Sequence, residues 1–336
     1  PHDNPADQFG VWDSDSDRFV VVYQNKSTDS TVANRTGIAR VGTVSAAGSS
    51  ATVSFGTQNI FENAETYIGG MCFDSQRNKV VISYADDGDS DKGKAIVGTV
   101  DDTTISFGTP VVYSDADTDA ASCVFDSNSN KVVIMFGASG LKSIVGTVGG
   151  SGTDYTTIAF GTEVRIDHST TTANNLSAVF DSQNNKIFVN YNDTSGGMFT
   201  VGTVSGTTTT WSFPAAFSPD GTYNGAVTGG GAYYNSNVFD TNSNLVVNLY
   251  LHDDIHYPQA RSMVFNSTVL DNMTHWIGIA AAQIDNGATG SVNMQGSVND
   301  GQSSLLIGYK YYVSNTATVN TSYIANREIG VAVSAT

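Results

Sequence analysis

Basic residues are scarce: 15 Lys and Arg stand against 32 Asp and Glu, for a formal net charge of −17. Nucleic-acid binders rely on Lys and Arg to displace phosphate counterions, so this balance excludes that class of partner. No apolar run nears the ~20 residues of a bilayer-spanning helix, so no membrane insertion is expected. Leu, Glu and Lys, the strong helix builders, are few, whereas Gly, Ser and Thr abound. Disorder is excluded in turn, because only 14% of residues are charged and 40% are hydrophobic.

The chain opens Pro1-His2-Asp3 rather than on Met, as expected of a processed or excised product. Its seven Asn-x-Ser/Thr sequons, at Asn25, Asn34, Asn175, Asn192, Asn266, Asn272 and Asn320, are about what its Asn, Ser and Thr content gives by chance. Cysteine is nearly absent, with Cys72 and Cys123 alone. They fall two and three residues before equivalent Asp positions, so they should face opposite sides of their strands. Two buried free thiols, not a disulfide, are therefore expected.

What the sequence does have is a repeat. Segments 11–23, 72–84, 124–136, 179–191, 238–250 and, degenerate, 298–309 superpose on the pattern F-D-S-x-x-N-K-V-V-I. The marker residues are Asp13, Asp74, Asp126, Asp181, Asp240 and Asn299, spaced by 61, 52, 55, 59 and 59, and a sixth of the chain is 56 residues. A second signature, V-G-T-V, begins at Val41, Val97, Val145 and Val201, and a third, S-F-G-T or its variants, ends at Thr57, Thr109 and Thr162. In the fifth repeat the third strand is expected over 262–268, and the tail at 328–333 is the third or fourth strand of the sixth.

A period of 40 to 60 residues holding several short strands is that of a propeller blade. Small residues precede the markers, as in Gly69-Gly70 and Ala120-Ala121-Ser122, and suit a crowded innermost strand. Runs such as Val80-Val81-Ile82 suit a strand covered on both faces, and the alternation at 105–109 suits an outer strand that is partly wet. The expectation is an all-β, six-bladed β-propeller of four-stranded repeats. It forms one domain over 1–336, with blades near 1–61, 62–113, 114–166, 167–217, 218–284 and 285–336. If the sixth blade ends at its third strand, the missing edge strand would come from the N-terminal segment or from another subunit, and strand donation would favour polymerisation.

The combination F-D-S-x-x-N-K-V-V-I, A-I-V-G-T-V and T-I-S-F-G-T-P-V-V resembles repeats of structural and tail-fibre-like proteins of marine tailed bacteriophages and related surface proteins. It covers residues 11 to about 217 strongly and the remainder weakly. The resemblance implies a location, a virion surface or other extracellular appendage, and carries no site residue with it.

Candidate sites are few. Asp13, Asp74, Asp126, Asp181 and Asp240 recur at a hairpin, where Asp accepts backbone N–H groups in an Asx-turn and Lys79 or its equivalents can pair with it. Recurrence speaks for turn chemistry, since a catalytic acid is needed once. Calcium is the one cofactor the sequence offers: Asp87, Asp89 and Asp91 alternate in an acidic loop, as do Asp13-Asp15-Asp17 and Asp115-Asp117-Asp119. A solvated acidic hairpin is the plainer reading of all three. His252 and His256 would lie too far apart in an extended hairpin to share a zinc ion. Trp12, Trp211 and Trp276 align with core positions and are expected to be buried. Tyr233, Tyr234, Tyr257, Tyr311 and Tyr312, on the irregular fifth and sixth repeats, are the candidate glycan- or receptor-binding residues.

No catalytic residue stands out. Ser139 and Lys142 match a nucleophile motif in a turn rather than on a helix, and the seven Arg are scattered. The expected role is a non-enzymatic structural or adhesive component of an exposed particle. Its partners would be copies of itself, other surface or virion proteins, or a host-surface glycan. A glycan- or receptor-binding propeller is the alternative, and a polysaccharide-cleaving enzyme the second.

Overall fold

Each of the first five repeats places an Asp at the end of one apolar strand and an Asn or Asp four residues later, and that spacing turns the chain back on itself. The residue at the second position has a left-handed backbone, with φ of 52° at Asp17, 55° at Asn78 and Asn130, 56° at Asn185 and 57° at Asn244. Asn and Asp tolerate that region better than other non-glycine residues. In the computed structural model the described residues are 8–25, 35–47, 50–118, 121–150, 154–166, 174–193, 196–212, 214–216, 232–252, 259–265 and five short strands beyond. They contain no α-helix.

The first blade comprises β1 (Gln8–Asp13), β2 (Arg18–Asn25), β3 (Thr36–Ala47) and an edge formed by β4 (Ser50–Phe55) and the start of β5 (Asn59–Asp74). β5 first pairs with β3, Ile38 opposite Ile60, and then becomes the inner strand of the second blade, Asp74 opposite Lys79. The second blade continues with β6 (Lys79–Asp86), β7 (Lys92–Asp101), β8 (Thr104–Phe107) and β9 (Val111–Asp117). The third holds β10 (Ala121–Asp126), β11 (Lys131–Gly137), β12 (Leu141–Gly149), β13 (Thr157–Phe160) and β14 (Val164–Arg165). The fourth repeats this with β15 (Asn174–Asp181), β16 (Lys186–Asp193), β17 (Gly196–Ser205), β18 (Thr208–Trp211) and β19 (Ala215–Ala216). The fifth is described through β20 (Ala232–Asp240), β21 (Leu245–His252) and β22 (Gln259–Phe265), so its third strand begins earlier than the sequence pattern suggests. Beyond it lie β23 (Ile279–Ala280), β24 (Val292–Asn293), β25 (Lys310–Val313), β26 (Val319–Asn320) and β27 (Glu328–Val331), the last pairing with β25. All pairings are antiparallel.

The sheets stack face to face in chain order, and their alternating side chains make the core. Val80, Ile82 and Tyr84 of β6 meet Val20, Val22 and Val41 of the first blade. Val81, on the other face of β6, joins Val132, Ile134 and Phe136 of β11. Val133 and Met135 then meet Val189 and Tyr191, and Phe188 meets Val246 and Tyr250. A middle strand is therefore apolar along most of its length, with Ser83, Asn190 and Asn248 as buried exceptions. The inner strands β1, β5, β10, β15 and β20 touch in series, which gives the stack a common inner side and makes it propeller-like.

Two glycine motifs set the spacing. The Gly of V-G-T-V lies under a ring or branched side chain of its own blade: an added Cβ at Gly98 would be 2.7 Å from Ile105 Cδ1, and at Gly202 2.6 Å from the Trp211 ring. The Gly of S-F-G-T faces the next blade. A Cβ at Gly56, Gly108 or Gly161 would lie 1.8, 1.7 or 2.0 Å from the carbonyl oxygen of Thr103, Thr156 or Thr207, each on the following blade's outer hairpin.

Candidate functional site

The recurring carboxylates are turn caps. Asp74 Oδ1 accepts the N–H groups of Gln76 and Arg77 at 3.0 Å, and Asp126, Asp181 and Asp13 repeat the arrangement. Asp240 accepts from Asn242 N at 3.0 Å and from Ser243 Oγ at 2.7 Å, and these bonds, Ser243 first, lower its pKa. Asp13, Asp74, Asp126 and Asp181 are all buried. At the second turn Arg77 reaches the second oxygen of Asp74 at 3.4 Å. Lys131 and Lys186 donate to Thr147 and Thr203 of V-G-T-V, each at 2.9 Å. In the first repeat Arg18, at the equivalent position, donates to the carbonyls of Ser16 and Asp17 within the turn at 3.2 Å.

The acidic loop carries its own cations. Asp86 caps a 3-10 turn at Asp87–Asp89 by accepting Gly88 N at 2.9 Å. Lys94 Nζ bridges Asp86 at 2.6 Å and Asp89 at 3.0 Å, and Lys92 Nζ sits 3.3 Å from Asp89. These bonds, Lys94 first and then Lys92, hold the Asp89 carboxyl below the usual carboxylate range. Burial works against the Lys94 ammonium, but its bonds to Asp86 and Asp89 prevail and raise its pKa. The Asp91 carbonyl accepts Thr118 N at 3.0 Å, which ties the loop to the end of the second blade. Asp87, Asp89 and Asp91 are not gathered into a ligand set. Among the described residues no three His, Cys, Asp or Glu side chains are placed to hold a metal ion.

The aromatic candidates divide. Tyr233 and Tyr234 lie in β20 and Tyr311 and Tyr312 in β25, but their side chains, and all of Tyr257, are outside the described residues. So are Asp253 to His256 and Trp276. Trp12 is a correction: it is 50% exposed, because among the described residues no blade covers the outer face of the first. Phe55 shares that face with it, and a cavity of about 560 Å³ opens beside Tyr23 and Arg40. Trp211 packs against the core between the third and fourth blades, its indole N–H donating to Ser143 Oγ and Thr209 Oγ1 at 2.9 and 2.8 Å.

The cysteines are buried and free as expected, but they lie side by side. Their strands do present them on opposite faces, and that is why they meet. Cys72 looks from the second blade toward the third and Cys123 from the third toward the second, so both lie in one core cluster with their sulfurs 3.1 Å apart. Both are buried free thiols. Burial, followed by the bond from Cys123, raises the Cys72 pKa well above its ordinary value.

No protein-family model and no curated protein matches the chain. Several solved structures share its general build. The sialidase of Trypanosoma rangeli bound to the inhibitor DANA is 12% identical with a TM-score of 0.43, over 76% of this chain and 45% of that one. The exo-β-1,3-galactanase of Phanerochaete chrysosporium is 11% identical with a TM-score of 0.44, over 92% and 68%. The levansucrase of B. megaterium is 10% identical with a TM-score of 0.41, over 78% and 82%. The chain spans about half the length of the sialidase. Likeness at this level assigns neither activity nor ligand.

Sequence reasoning missed one polar feature. Asn248 occupies a middle-strand position that is apolar in every earlier repeat, Asn190 one held by Val22, Ser83 and Met135 in the first three, and both are fully buried. Asn237 Nδ2 donates to Asn190 and to Ser177 O, Asn248 Nδ2 donates to Asn237 Oδ1 at 3.0 Å, and Asn190 Nδ2 donates to Asn235 Oδ1 at 3.2 Å. The fourth and fifth blades thus meet partly through an amide ladder. The signal was the Asn in V-N-Y191 and V-N-L-Y250. Ser139 sits in a left-handed turn, and Lys142 is held by Glu163 at 2.8 Å, so the two do not form a nucleophile–base pair.

Proposed function

We propose that the chain is a six-bladed propeller serving as a non-enzymatic structural or adhesive module of an exposed particle, a fibre, virion surface or extracellular filament. The observation that carries this reading is where the recurrent chemistry goes. The repeated carboxylates cap turns, the repeated lysines brace neighbouring strands, and the repeated glycines seat one blade on the next. A scaffold assembled this way is rigid and presents loops at its rims, which suits contact with identical copies or with a host surface.

The two ends of the stack support a count of six blades. Trp12 and Phe55 leave the first blade's outer face open at 50% and 45% exposure, and Val238 and Leu249 leave the fifth blade's far face open at 59% and 54%. In the third blade the positions equivalent to Val238 and Leu249, Val124 and Met135, are buried against a neighbour. One further blade, from the last repeat, would cover both faces and close the ring. Imaging the purified chain by electron microscopy, together with incubation on soluble polysaccharides, tests the reading. Six-bladed rings contacting one another, with no sugar released, are expected. Another blade number, or hydrolysis of any polysaccharide, would overturn it, and glycan-array binding by an isolated monomer would move the assignment to a receptor-binding module.

A further inference from the structure

We infer that Cys72 and Cys123 form an interblade disulfide that locks the second blade to the third. The two thiols come from different sheets and lie 51 residues apart in sequence, yet their sulfurs are only 3.1 Å apart, about 1 Å beyond the covalent S–S length. The backbones bring them there. A Cβ at Gly70 would lie 2.9 Å from the amide nitrogen of Cys123, and one at Gly69 would lie 2.4 Å from Ala121 Cβ, so the inner strands approach as closely as glycine allows. Around the sulfurs the wall is apolar, with Val81, Ala95, Ile134 and Phe136 in the same cluster. No third Cys and no carboxylate or imidazole joins the pair among the described residues, so metal ligation is not the use this geometry serves.

The chemistry requires an oxidant, and a small-molecule disulfide such as oxidised glutathione supplies it. One cysteine thiolate attacks a sulfur of the small disulfide and expels one small thiolate. The second cysteine thiolate attacks the resulting mixed disulfide and expels the other. Two protein thiols and one small disulfide become one protein disulfide and two small thiols, the two cysteine protons ending on the leaving groups. In the folded chain both sulfurs are out of solvent and the Cys72 thiolate is disfavoured, so exchange proceeds while the two blades are docking rather than afterwards. Once made, the bond is shielded from reductants by the same burial. This inference is independent of the role proposed above, since it concerns how the stack is held together.

The test is refolding of the full reduced chain in a mixture of oxidised and reduced glutathione, followed by denaturation without reductant, thiol counting and peptide mapping. The expected result is loss of both thiols, a 2 Da fall in mass from the two lost hydrogens, and a linked peptide pair containing Cys72 and Cys123 in one chain. The oxidised chain should melt on the order of 5 °C above the reduced one, because the link restricts only the unfolded chain. Two thiols still titratable after refolding, disulfides found only between chains, or an oxidised chain that melts no higher than the reduced one would each overturn the inference. The Cys72→Ala/Cys123→Ala double variant should lose the glutathione-dependent shift in melting; a shift that persists would also refute it.

Discussion

Replacing Gly108 with Ala adds a single methyl group at the seam between the second and third blades. That methyl would be placed 1.7 Å from Thr156 O and 2.7 Å from its carbonyl carbon. A carbon–oxygen contact relaxes near 3.3 Å, so the two backbones must part by about 1.6 Å. Neither is free to do so. Gly108 N is bonded to Val97 O at 3.0 Å, which pins it to its own sheet, and Thr156 leads directly into β13, paired along β12. Overpacking of cores commonly costs about 1–3 kcal/mol, and because the obstacle here is backbone and not a swinging side chain, the upper end, about 3 kcal/mol, is expected. For a chain of this length that is a fall in Tm of about 4 °C if unfolding is two-state. Urea denaturation followed by tryptophan fluorescence reads the difference directly. Gly149→Ala is the matched control: its Cβ meets nothing within 4 Å, so its stability should stay within about 0.5 kcal/mol of the parent or rise slightly. Equal stabilities for Gly108→Ala and Gly149→Ala would refute the claim that this glycine seats one blade on the next.

Two further outcomes follow from the turns and the acidic loop. Asp126→Ala removes the acceptor for Asn128 N and Ser129 N at a carboxylate only 3% exposed, and should cost about 1–3 kcal/mol in urea denaturation, whereas Asp126→Asn should recover part of it; identical losses for the two would contradict the capping role. Asp89 keeps its charge below the usual carboxylate range, so its share of stability is present at neutral pH and is lost only as pH falls through that depressed value. Lys94→Met should therefore move its titration upward in an NMR pH series, and an unchanged Asp89 titration would show that Lys94 is not its principal partner.

The sequence displayed most of the fold because propeller-like construction writes its constraints locally. An Asp followed four residues later by an Asn or Asp, then an unbroken apolar strand, encodes a hairpin and a doubly covered sheet without reference to anything distant. Relations between repeats were less legible. The S-F-G-T glycine recurs visibly, but nothing nearby in sequence names Thr103, Thr156 or Thr207 as the atoms it must clear. The cysteines show the same gap: their strand faces were read correctly, but opposite faces of consecutive blades are the ones that meet. Trp12 aligned with core positions, yet its environment depends on what packs against its sheet, and among the described residues nothing covers that face. As for the candidate site, the pattern showed which acids are turn caps, while the lysine partners of Asp86 and Asp89 emerged only once β6 and β7 were paired.

Strand β5 has a consequence for how such a protein can be built up or cut down. Its first residues edge one sheet and its last residues begin another, so the stretch that duplicates in the sequence is offset from the body that packs in space. Deleting one sequence period removes part of two bodies, and a break at residue 61 leaves an unpaired rim on one fragment and a shortened hub strand on the other. Lineages that gain or lose repeats must therefore do so in a phase that respects this overlap, which makes the overlap a constraint on evolutionary lengthening as well as on the mechanical integrity of the assembled stack.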